Sequence, residues 1–176
     1  MSNIEKLTGE LRALSTGVER AQGQAAAAGN QAQEVAARAA GAGFVAVAAG
    51  MTRVRDAINA IQGRLGELGE LIAEATKRTA AAVSQGATPE ETISGLAPVQ
   101  SALDNTRGVA ARTIEQATEA QQLVTAILQG GQPGPMLSAL ENIKQVLTQV
   151  AQRTGTAHQL VNAAIAEARQ LGSSGN

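Results

Sequence analysis

The sequence predicts an all-α fold: an antiparallel four-helix bundle of long, heptad-patterned helices arranged as two helical hairpins. Three observations carry this prediction. Apolar residues recur at alternating steps of three and four along four long segments. Short breaks containing Gly or Pro separate those segments. The apolar content, 44% of 176 residues, is dominated by Ala, with aromatics at 1%. A buried Ala contributes less than the roughly 1.5–3 kcal/mol of a buried Leu or Phe. Such a chain must bury many positions, and long helices of the best helix former do this well.

The first seam runs Ile4, Leu7, Leu11, Leu14, Val18, Ala21, Ala25, Ala28, Ala32, Val35 and predicts a helix over about 3–40. Ser2 with Glu5 three residues on reads as its capping box. From Ala21 onward only Ala and Val occupy the seam, so this half is expected to be the least stable part of the bundle unless a partner covers it. The second seam starts at Phe44 and runs through Met51, Ile58, Leu65 and Ile72 to Ala82, predicting a helix over about 44–85. Thr88, Pro89 and Glu91 form an N-cap, a Pro at the first helical position and a capping-box Glu. They open a third helix, about 89–128, with a seam from Leu96 to Ile127. Pro135 opens a fourth, about 135–171, with a seam from Leu140 to Leu171.

Gly41, Gly86, Gly130 and Gly172 sit where the seams end, the place for a positive-φ cap. Val109, Ile114, Leu123, Val146, Leu160 and Ile165 widen the stripe of the last two helices, which suits a globular bundle better than a two-stranded coil. Each helix is about 55–60 Å long. The expected organisation is one bundle over 1–172, hairpin 1–86 plus hairpin 87–172, with a disordered tail at 173–176. The two hairpins have the look of a duplication. A solenoid of helix pairs is the weaker alternative, because the heptad phase continues through Gly108 and Gly155, where internal turns would have to lie.

Charge narrows the function classes. Fourteen basic and fifteen acidic residues give a net charge of −1 without a block of either sign. Neither a nucleic-acid footprint nor a polybasic membrane signal is present. No apolar run approaches the ~18–20 residues of a membrane span. The N-terminal "MSNIEKLTGELRAL" carries charges where a signal peptide needs an apolar core. A cytoplasmic protein, or one exported without a cleaved Sec signal, is expected.

No chemistry-bearing constellation emerges. His158 is the only His and reads as a boundary residue; a Glu-x-x-His metal motif is lacking because residue 155 is Gly. Glu67, Glu70 and Glu74 share one helix and are expected to pair locally with Arg64, Lys77 and Arg78. Thr79, Thr106, Thr113 and Thr154 interrupt the seams and are expected to bond their own helix backbone. No catalytic residue, metal site or cofactor is assigned. Gly63, Gly66 and Gly69 in "RLGELGEL" are a candidate helix-docking face, with drift in an Ala/Gly-biased chain as the plainer reading. Gly41, Gly43 and Phe44 are expected to make the first turn, the ring plugging the end of the core.

The Ala/Gly-rich helical style resembles an uncharacterised family of actinobacterial helical proteins. The first hairpin, with "GAGF" at its turn, also resembles the WxG-type helical hairpins of ESX (type VII) secretion. Gly41-Ala42-Gly43-Phe44 replaces the family's Trp-x-Gly, and the tyrosine-based export signal has no counterpart in a chain without Tyr. Four heptad seams without a catalytic constellation point to a non-enzymatic helical interaction protein that meets a protein partner or itself through helix faces, and the resemblance implies a secreted or secretion-associated one. The alternative is a phasin-like amphipathic coat on a polymer or lipid surface.

Overall fold

The computed structural model describes residues 1–86, 88–131 and 133–174. Four α-helices follow in order: α1 (Asn3–Gly41), α2 (Val45–Gln85), α3 (Pro89–Ile127) and α4 (Gly134–Ser173). α1 packs on α2, α2 on α3, α3 on α4 and α4 back on α1, closing an antiparallel bundle whose diagonal pairs stay apart. Cross-helix neighbours show the direction of each contact. Glu10 meets Arg153, Asn3 meets Glu167, and Gln100 meets Asn162. One end of the bundle therefore gathers the α1–α2 and α3–α4 turns. The other gathers both chain ends and the α2–α3 connection.

Caps explain where two of the helices begin. Ser2 accepts from the Glu5 N–H while the Glu5 carboxylate accepts from the Ser2 N–H, and Thr88 and Glu91 do the same for α3. α4 starts one residue before Pro135, which lies in its first turn behind an N-cap Pro133. Of the four expected glycine caps, Gly130 takes the positive φ and the other three do not. Gly41 and Gly172 are helical and Gly86 has φ −76°; Gly43 and Gly130 take the left-handed conformation. α4 also continues through Ser173 to a cap at Ser174, where a disordered tail over 173–176 was expected; Gly175 and Asn176 lie outside the described residues. Pro98 stands inside α3, where the absent N–H leaves the Ser94 carbonyl without its helical partner. The heptad pattern gave no sign of it.

The core is the set of seams, with a size gradient along each helix. Leu7, Leu11 and Leu14 fill the first half of α1; Ala21, Ala25, Ala28 and Ala32 fill the second. α2 runs from Met51, Ile58 and Ile61 to Ala75, Thr79 and Ala82. α3 runs from Leu96 and Leu103 to Ala110, Thr113, Ala117 and Ala120. α4 runs from Leu140, Ile143 and Leu147 to Thr154, Ala157 and Ala164. Antiparallel packing sets the large half of each helix beside the small half of both neighbours. Large and small side chains then alternate around each layer, which lets the interior fill at normal density. The seam alanines Ala21, Ala25, Ala28 and Ala32 of α1 are fully buried in this way, a Cβ at Gly29 lying 3.6 Å from the Ile58 side chain. Val109, Val146 and Ile165 are buried beside the seams of the second hairpin, as its wider stripe predicts. The seams fray at the ends, where Leu171 is exposed.

The buried threonines need no partner from another helix. Thr79, Thr106, Thr113 and Thr154 donate to the carbonyls of Ala75, Ala102, Val109 and Val150 at 2.7–2.8 Å. Close approach is set elsewhere, by glycine. Gly50 on α2 is buried against Ile127 of α3, and a Cβ there would lie 2.8–2.9 Å from three Ile127 side-chain carbons. Gly63 has open space on the bundle exterior. Gly50→Ala should therefore destabilise the fold by about 1–3 kcal/mol despite the better helix former. Gly63→Ala should stabilise it by up to about 1 kcal/mol. Urea midpoints followed by circular dichroism measure both, and equal shifts for the two variants would contradict the notch.

Candidate functional site

The groups most able to do chemistry are used structurally. His158 on α4 lies 3.4 Å from the Asp104 carboxylate of α3 through Nε2, while Nδ1 lies 3.3 Å from the Asn162 amide nitrogen. Gln100 Nε2 donates to Asn162 Oδ1 at 2.5 Å, which orients that amide to donate to Nδ1. Nε2–H is then left to donate to Asp104. Each imidazole nitrogen thus has a polar neighbour, one on α3 and one on α4. The row is an exposed clip between α3 and α4. Sequence reading placed His158 at a boundary but missed Asp104, whose proximity depends on the register of two helices.

A second clip joins the same helices. Gln121 donates to Glu141 at 3.0 Å and accepts from Lys144 at 3.1 Å, and Lys144 lies 3.5 Å from Glu141. The Gln121 hydrogen bond and the Lys144 charge hold the Glu141 carboxyl below its ordinary value. Glu67 and Glu74 form ion pairs with Arg64 and Arg78 on their own helix, at 3.3 and 2.7 Å. Among the described residues no group of three or more His, Asp or Glu side chains is placed to hold a metal ion.

The feature without a structural use lies at the bundle end formed by the two hairpin turns. α1 closes there in a Schellman motif. Gly43 takes φ +82°, its N–H donates to the Ala40 carbonyl at 3.1 Å, and the Phe44 N–H donates to the Ala39 carbonyl at 2.8 Å. Phe44 is thereby the residue two past the α1 cap and also the N-cap of α2. Its backbone follows the turn and not the heptad seam, so the ring does not enter the core. Phe44 is 64% exposed and Val45 74% exposed, and residues 41–46 are all exposed. The end plug expected from the sequence is corrected on this point: the turn is where Gly41, Gly43 and Phe44 place it, but the ring faces solvent.

The two turns at this end carry no charge, the nearest being Arg38 in the last turn of α1. Residues 39–52 and 120–140 are the two longest stretches without Asp, Glu, Lys or Arg, and the fold brings both to this end. Val83 and Leu171 are exposed at the opposite end, but among Glu5, Lys6, Glu90, Glu91 and Glu167. Exposed apolar residues gathered without charge mark interaction surfaces more often than scattered ones. Beside the tip a cleft of about 390 Å³ opens between α1 and the α3–α4 turn. The small-residue face is less distinct. Gly63 and Gly66 have open space around them, whereas Gly69 faces Val18 and Gln22 of α1 within the bundle.

Residues 87–173 match the model of a family of unknown function, DUF6244. The matched stretch corresponds to the second hairpin. No curated protein and no solved structure matches the chain.

Because the ring is exposed, Phe44→Ala should change unfolding free energy by less than about 0.5 kcal/mol. A loss of several kcal/mol in urea unfolding would restore the plug. Glu141 supplies a pH test. Its folded pKa is depressed, so its stabilisation is present above the ordinary value of 4.5 and is lost as pH falls through the folded value. Wild type should exceed Glu141→Gln in urea midpoint at neutral pH, and the two should converge on acidification. A gap that widened on acidification would contradict that assignment.

Proposed function

We propose that this chain is a non-enzymatic helical interaction protein that meets a protein partner through the charge-free end. The observation that carries this reading is the exposure of the only aromatic residue, Phe44, beside Val45 on that end. Aromatic anchors supply a disproportionate share of binding energy at protein interfaces. A rigid bundle also presents its tip with little conformational entropy left to lose.

The finer reading is a component secreted by, or associated with, an ESX-like system in an actinobacterium. It is supported by the hairpin form and the Gly-Ala-Gly-Phe turn. A phasin-like coat is the alternative, but its apolar stripes are buried in the closed bundle, so coating would require the helices to separate. Among the described residues no helix is long and apolar enough to cross a membrane.

A photo-crosslinking phenylalanine analogue at position 44, with another at position 63 for the glycine face, tests the reading in living cells. Discrete protein adducts from position 44 are expected. Absence of adducts at 44 would remove the tip as a binding surface, and adducts at 63 alone would move the site to α2. Flotation of the pure protein with lipid or polymer particles would favour the coat.

A further inference from the structure

We infer that the partner at the charge-free end is a second copy of this chain, the two copies overlapping their tips in an antiparallel, two-fold arrangement. The inference rests on the interaction reading and names its partner. It follows from two complementary features at one end.

The first is shape. Phe44 and Val45 project as an exposed apolar knob, and the neighbouring cleft is walled by Val35, Leu128, Pro133, Pro135 and Met136. At about 390 Å³ the cleft is large enough for a phenyl ring. A two-fold pair uses knob and cleft twice, each copy's ring entering the other's cleft.

The second is charge. The charges lining this cleft are Glu34 and Arg38, one turn apart on α1 and paired at 3.6 Å. When two such segments run antiparallel about a two-fold axis, Glu34 of each copy faces Arg38 of the other. The remainder of both turns is uncharged, so apposition there meets no repulsion.

The surface covered is a bundle tip and the adjoining turns, small beside a standard interface, so the pair forms reversibly and with concentration.

Sedimentation equilibrium of the full chain with interference optics provides the test, since there is no Trp or Tyr to absorb. The wild-type mass should rise from one chain toward two with concentration. Phe44→Ser and Glu34→Arg should each weaken association at least tenfold, on the order expected for an interface anchor, with unchanged circular dichroism. Glu34→Arg combined with Arg38→Glu restores the cross-pair and should recover association. A monomer at every concentration, or a dimer indifferent to Phe44→Ser and Glu34→Arg, overturns the inference. If position 44 then crosslinks only to other proteins in cells, the interaction reading stands without self-association. If it crosslinks to nothing, that reading falls too.

Discussion

Leucine and isoleucine on one helix stand beside alanine and threonine on the next, and the bundle depends on that alternation. Each helix is large in its leading part and small in its trailing part, from Leu7–Leu14 to Ala21–Ala32 in α1 and from Leu140–Leu147 to Thr154–Ala164 in α4. Neighbours run in opposite directions, so the gradients mesh. In a parallel arrangement Leu11 and its counterparts would collide at one level while the alanines left voids at another. The gradient therefore selects direction as well as depth of burial. It also explains how a chain with one aromatic residue fills its interior, because no layer needs four large side chains.

Polarity is handled so that it leaves the packing undisturbed. Buried hydroxyls return to their own helix, and among the described residues no charged side chain is buried. Charged and amide contacts between helices sit on the outside, where α4 is linked to α1 through Glu10–Arg153 and to α3 through Gln121–Glu141. Such exposed pairs contribute little to stability individually. Their value here is register, since each fixes the height of one helix against another. Gly50 and Ile127 do the same for α2 and α3 by shape alone.

Most of the architecture was legible because helix and seam are local, periodic properties. Thr88-Pro89-Glu90-Glu91 states a helix start in four residues, and the four threonines carry their own acceptors one turn away. What escaped was whatever depends on a second element. The heptad count runs without interruption from Phe44 into Val47 and Met51, yet Phe44 belongs to the turn, and only the Gly43 geometry separates the two. Asp104 and His158 meet because two long helices hold one register, which spacing in the sequence does not display. The notch at Gly50 is invisible without Ile127 opposite it. The charge-free end could have been found earlier, because both stretches stand in the sequence and the hairpin reading already put their turns together.

The size gradient also bears on how the chain is made. A ribosome releases the leucines of α1 first and the alanines of the α2 terminus, which pack beside them, at the far end of the hairpin. Leu7, Leu11 and Leu14 remain without their antiparallel neighbours until residues near Ala75, Thr79 and Ala82 have emerged. Synthesis at ~5–20 residues per second leaves that apolar edge uncovered for seconds. The same delay recurs when Leu96 and Leu103 wait for the end of α4. Nascent chains of this protein thus pass through two intervals in which the half-made hairpin keeps an apolar edge open to solvent.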